Sequence, residues 1–377
     1  MSACVAAYGV YLGLPLILGA LASAYGFSNR QIGWIGSAEN LGLLLGSIAV
    51  SALAGSGKFR RLVLAGIAIA ISGNVVTLFI GSFLSLCSVR IVTGFGSGLC
   101  YSAAIACLSL TRRASRNFSV FIVVLVLANS LDLWVIPPIV SLGGVRGLYA
   151  VLGLLYLVPA LLIKFMPPRI EAASRDAHRD TFSTRSSSFA TLAWACLAAV
   201  VLFNVAASAF WAYAERIGAA IGMAETAIAN TLTLCNLFSL TGSVLAYWLS
   251  RRWGQHRPQL AAIAVMIAVY AVWAAGISTH GYVLGVLLFF EVWSMASVYQ
   301  LGTLTEIDRS GRYVALIPAA QGIGQSAGPF FAGLLLGWNL DFAQMLSAVD
   351  LFAAGCFATY AAVYLRLRRI DPAAAIA

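Results

Sequence analysis

Charge is what this sequence has least of: only 10% of its 377 residues are Asp, Glu, Lys or Arg, against 61% hydrophobic. A soluble chain of this length has no interior large enough for so much apolar surface, so its solvent must be lipid. Lysine is nearly absent, with Lys58 and Lys164 alone among 23 basic residues. That preference for arginine points to a GC-rich bacterial genome. Histidine is also scarce: His178, His256 and His280 are scattered, and no Cys or His pair has zinc-ligand spacing, so no metal centre or other cofactor is expected. The seven cysteines all fall within apolar runs, where they serve as small packing residues rather than a disulfide framework. There is no phosphate-cradling loop, nucleophile constellation or metal-binding helix motif, which argues against an enzyme or an ATP-driven pump.

What is there is a succession of apolar runs about 20 to 25 residues long, the length an α-helix needs to cross a bilayer and twice that of a barrel strand. Twelve spans are expected, near 3–25, 31–54, 62–82, 85–109, 118–140, 147–166, 189–213, 226–249, 259–277, 282–304, 314–337 and 345–365. The first begins almost at Met1, with no basic residue before it and no cleavage pattern, and is read as a true span. The one long polar stretch, 167–188, divides an N-terminal six-helix bundle (1–166) from a C-terminal one (189–377). The fold class is therefore all-α and polytopic.

The formal charge of +10 is a topology signal, not a nucleic-acid footprint. With both termini in the cytoplasm, all basic residues but Arg30, Arg90, Arg146 and Arg216 lie on the cytoplasmic side. The halves also repeat at an offset of 196: Asn40, Leu44, Gly46 and Ser47 recur as Asn236, Leu240, Gly242 and Ser243. Internal repeats are what many secondary transporters are built from.

A charge at the bilayer centre costs at least about 2.5–3.5 kcal/mol, so intramembrane ionisable groups are functional candidates. Glu39, Asp132 and Glu291 each sit about 12–14 Å below the outer boundary, and Arg90 about 7.5 Å, at 1.5 Å per residue. One layer is expected to hold Arg90, Glu39 and Asp132, with Glu291 facing them across a central cavity. One reading is a proton or ion relay that exchanges with substrate; the other is that Arg90 snorkels and a carboxylate pairs with it to fix helix packing. Asn204 either bridges helices or contacts substrate. Trp211 and Tyr213, near a span end, read as interfacial belt.

Two six-span halves, a basic central loop and a charged turn after the second span of each half resemble the major facilitator superfamily over essentially the whole chain. The turn Gly55, Ser56, Gly57, Lys58, Phe59, Arg60, Arg61 keeps that family's glycine and bases but lacks its aspartate. Its counterpart around Arg251 and Arg252 is similarly degenerate. Gly55, Arg60, Arg61, Arg251 and Arg252 are the gating-loop candidates. Arg90, Gly94, Gly96 and Gly98 in RIVTGFGSG match the fourth-span motif, whose arginine the family associates with proton coupling. The resemblance implies a monomeric permease in the plasma membrane, the inner membrane of a bacterium, moving a small organic solute by alternating access with H+ as coupling ion. The fourth-span motif leans towards efflux. The family's helix arrangement also makes Tyr8, Tyr11, Tyr101, Trp293, Tyr299 and Gln300 candidate cavity residues. The competing reading is a sensor or scaffold that keeps the fold and binds ligand without transport. Partners are expected to be the small-molecule substrate and the lipid bilayer, with no nucleic acid.

Overall fold

A computed structural model describes residues 1–53, 58–109, 111, 114–166, 187–308 and 312–370. Among them there is no strand, and the chain runs through thirteen helices. These are α1 (Ser2–Leu12), α2 (Leu14–Tyr25), α3 (Asn29–Leu53), α4 (Phe59–Thr77), α5 (Phe83–Ser109), α6 (Ala114–Leu155) and α7 (Leu157–Leu162), then α8 (Ser187–Ala220), α9 (Glu225–Trp253), α10 (His256–Ala275), α11 (Thr279–Ile307), α12 (Ile317–Gly337) and α13 (Phe342–Ile370).

Nine of the described helical segments are long and apolar enough to span a membrane, and α1 with α2 makes a tenth, bent by 50°. One of the nine, 46 residues from Val120 to Phe165, is about 69 Å long at 1.5 Å per residue, enough for two crossings. It turns at Gly144, whose φ of 59° and ψ of −163° no helix contains. Glycine alone adopts such a backbone without strain. The remaining crossing is α12, whose apolar run is diluted by Gln321, Gln325, Ser326 and several glycines. Twelve crossings put residue 1 and the end of α13 on one side, called here the near face; the other is the far face. The break between α1 and α2 falls at Gly13, next to Pro15, which brings no N–H to the first turn of α2.

The helices pack as two sets, α1–α7 and α8–α13, that meet along α3–α12, α6–α9 and α2–α8. Side chains such as Leu84, Leu142, Leu161 and Leu351 are exposed around the outside, as lipid-facing positions should be. The repeat is visible as geometry. A side chain on Gly46 of α3 would collide with the main-chain oxygen of Phe95 in α5, and one on Gly242 of α9 would collide with that of Glu291 in α11. Both pairs are related by the same 196 residues, so the second and fourth spans pack as the eighth and tenth do.

Candidate functional site: an aromatic cluster between the two sets

Two of the seams are held by hydrogen bonds from mid-depth to the far face. Along α3–α12, Asn40 Nδ2 donates to the Gln325 carbonyl at 2.9 Å and Ser37 Oγ to the Ser326 carbonyl at 2.8 Å. At the far end Tyr213 Oη donates to the Asn29 carbonyl at 2.6 Å. Along α6–α9, Asn129 Nδ2 donates to Asn236 Oδ1 at 2.8 Å, and Asn236 Nδ2 donates to Ser130 Oγ at 2.8 Å and to the Val126 carbonyl at 3.1 Å. Asn40 and Asn236, equivalent in the repeat, thus hold the two seams alike.

Beside the Asn40–Gln325 bond, rings from both sets converge. Tyr8 of α1 stacks on Tyr101 of α5 with centroids 4.5 Å apart, and Tyr11 lies 5.0 Å from Tyr8. From the other set Trp293 of α11 stands edge-on to Tyr11 at 6.5 Å, flanked by Trp211 of α8 at 6.3 Å and by Phe290. The Trp211 indole N–H donates to the Tyr11 carbonyl at 3.1 Å, and the Gln325 side chain approaches the Tyr8 hydroxyl. The Tyr11 hydroxyl is buried with no partner. Tyr101 and Trp293 were expected at a cavity. Trp211 was expected at a membrane interface instead, and this is corrected: α8 runs on to Ala220, seven residues past the anticipated end of its span, which carries Trp211 and Tyr213 into the interior. Gln325 was missed because it falls in a glycine-rich span whose helix direction no local pattern sets.

The intramembrane charges divide three ways. Arg90 and Glu39 do come together, 3.4 Å apart and 1% and 4% exposed. The guanidinium also donates to Asn74 Oδ1, Thr77 Oγ1, Thr93 Oγ1 and the Gly73 carbonyl, and lies 4.6 Å above the Tyr149 ring. Four helices of one set, α3 to α6, therefore enclose it, and it does not snorkel to an interface. Asp132 is not among the partners of Arg90. It lies on α6 facing α1, where a methyl on Gly9 would stand 3.6 Å from its Oδ2, and it has no hydrogen bond or ion pair among the described residues. Glu291 does not face Arg90 across a cavity. Two residues turn a helix by about 200°, so Glu291 and Trp293 point to opposite sides of α11. Glu291 Oε1 instead accepts from Thr241 at 2.6 Å, beside exposed Leu234, Phe238, Leu245 and Trp248.

Asn204 donates to the Val200 carbonyl one turn back, and its Cβ packs where a side chain on Gly324 would stand, so it sits at the α8–α12 contact. Gln300, two turns from Trp293 on the same stripe, is buried with neither amide atom paired. Arg60 and Arg61 open α4 and Arg251 and Arg252 close α9, all at the near face, with Arg251 on the Tyr247 ring and Arg252 on the Trp248 ring. None of the four pairs with a carboxylate among the described residues. Gly55 and the polar stretch 167–186 lie outside the described residues.

The family model described as Major Facilitator Superfamily matches residues 1–305. The chain belongs to that superfamily. Among solved structures it is similar to a D-xylose-proton symporter, with a TM-score of 0.73 at 14% identity over 96% of both chains. It is also similar to the nucleoside transporter NupG, with a TM-score of 0.72 at 13% identity over 97% of both. A bacterial homologue of the human lysosomal transporter Spinster, inward-facing and occupied, matches with a TM-score of 0.75 at 13% identity over 96% of this chain and 95% of that one. At such identities the likeness carries the fold and not the substrate. No curated protein sequence matches. As a member of the superfamily the protein is a transporter integral to the membrane, working on a small molecule.

Proposed function

We propose that the protein is a proton-coupled secondary transporter that moves a small organic solute across the bacterial inner membrane as a monomer, by alternating access between bundles 1–166 and 189–377. The observation that carries this reading is the position of the aromatic cluster. Its rings come from both sets, beside the Asn40–Gln325 bond that joins them, so a solute lodged there would contact both halves and its exit would follow their relative tilt. In this reading the basic near face is cytoplasmic, and the Tyr213–Asn29 bond helps hold the outer ends of the two halves together. Stacking rings with a free Tyr11 hydroxyl and Gln325 suit a solute that presents a flat or ring face together with hydroxyl or amino groups. The sugar and the nucleoside named for two of the structural neighbours have that shape.

Of the intramembrane carboxylates, Asp132 is the proton carrier in this reading, because Glu39 is committed to Arg90 and Glu291 turns away from the rings. Asp132 has no hydrogen bond or ion pair among the described residues and rests against the broken first span at Gly9. Export is the direction we favour, from the fourth-span motif. The test uses proteoliposomes containing a pH-sensitive dye, screened with sugars, nucleosides, amines and amino acids. One solute class should move protons, and Asp132→Asn should abolish that movement while exchange of labelled for unlabelled solute persists. Binding without passage of solute would sink the transporter reading; proton movement that survives in Asp132→Asn would sink the assignment of the carrier.

A further inference from the structure

At the far face, where the α3–α12 seam ends, a groove of about 450 Å³ opens between the two sets. Residues Ser28, Asn29 and Arg30 line it from one set, and Arg216, Gly337 and Asn339 from the other. Neither of its two arginines has a carboxylate within 4 Å among the described residues. The nearest acid in sequence, Glu215, attracts Arg216 electrostatically but forms no ion pair with it within 4 Å; it occupies the space left by Gly19 and lines a separate cavity with Glu225.

Arg30 crosses the seam. Its aliphatic stem occupies the place a side chain on Gly337 would take, and its guanidinium lies 4.8 Å above the Trp34 ring. Arg216 Nε is buried without an acceptor. The amino end of α3 opens into the same groove, with Ser28 and Gln31 capping one another and Tyr213 fixing the Asn29 carbonyl. Arg30, Arg216 and the amino end of α3 thus line one space from both sets, and the Arg216 Nε beside it is buried without an acceptor.

We propose that this groove is an anion site for a phosphate-class group, held between Arg30 of one bundle and Arg216 of the other. The planar forks of two arginines suit the oxygens of a tetrahedral oxyanion, which can accept from both at once. The groove lies at the ends of the spans, the level of lipid headgroups, so the group is either a phospholipid phosphate or free phosphate. The site exists only while the far ends of α3, α8 and α12 are together. An anion that bridges them binds that state better than one in which they part, and so holds the far face shut.

The experiment follows the melting temperature of delipidated protein in detergent during titration with inorganic phosphate or with dihexanoyl-phosphatidylglycerol below its micellar concentration, at matched ionic strength in chloride. A rise with the short-chain lipid alone assigns the site to a headgroup; a rise with both assigns it to phosphate in general. In either case Arg30→Gln/Arg216→Gln should weaken the apparent affinity about tenfold or more. Arg146→Gln, at an exposed arginine of the same face outside the groove, should leave it unchanged. No rise with either probe, an undiminished rise in the double variant, or an equal loss in Arg146→Gln overturns the proposal.

Discussion

The indole N–H of Trp211 donates to the main-chain oxygen of Tyr11 across 3.1 Å, joining residues 200 apart in the chain. The acceptor lies in the last turn of α1, just before the break at Gly13. Its ordinary helical donor would be the N–H of residue 15, which is a proline and has none, so the indole of the other set supplies a bond there.

Trp211→Phe keeps the ring and removes only the donor. A buried hydrogen bond of this kind contributes about 1 kcal/mol, which corresponds to a change of about fivefold in a two-state population. Because the bond joins the bundles in the state seen here, the variant should shift towards the opposite-facing one. Spin-label distances between the far ends of α2 and α8 would lengthen on average, and an unchanged distribution would contradict the role given to this bond.

Asn236 makes three inter-bundle hydrogen bonds, and replacing it with leucine leaves the amide of Asn129 and the hydroxyl of Ser130 without that partner. Unsatisfied buried groups cost about 1–3 kcal/mol each. Asn236→Leu should open the α6–α9 seam and raise the labelling rate of a cysteine introduced at Ser130, with little change in helix content by circular dichroism.

Arg90→Leu strands Glu39 as an uncompensated buried charge and should destabilise the protein by about 3–5 kcal/mol. Arg90→Leu/Glu39→Leu removes both charges and should recover most of that loss. Thermal denaturation of the two single variants and the double one forms a cycle. If the double variant is stable and still transports, the ion pair holds α3 to α6 together and carries no protons; if it is stable and transport alone is lost, the pair belongs to the coupling pathway.

Gly46→Leu and Gly242→Leu should fail alike, since each would drive a side chain into the carbonyl of the neighbouring span, Phe95 or Glu291. Gly143→Leu, where nothing lies within 4 Å, should be tolerated. Yields of monodisperse protein would show whether the repeat is a packing repeat at these positions.

Trp293→Ala removes the ring that faces Tyr11 and Trp211. Ring pairs contribute about 0.5–1.5 kcal/mol beyond their buried area, so the apparent KM for solute should rise several-fold to about tenfold, while Glu291→Gln leaves it nearly unchanged. The opposite pattern would return Glu291 to the substrate path.

The sequence alone determined that the chain is all-helical and crosses the membrane many times, because hydropathy over about 20 residues acts locally and needs no knowledge of neighbours. It also determined the repeat, because Asn40 and Asn236, or Gly46 and Gly242, are dear residues to place in lipid and recur in one register. Arg90 beside Glu39 was legible for the same reason: two opposite charges at similar depth have few other ways to be neutralised. The tertiary structure decided which side of each helix faces inward. That rotation depends on which neighbours pack where, so it sent Glu291 to the outside and brought Trp211 and Gln325 to the centre. It left Asp132 beside Gly9 with no hydrogen bond or ion pair among the described residues and set Arg30 and Arg216, 186 positions apart, in one groove, a juxtaposition that arises only when two bundles close against each other.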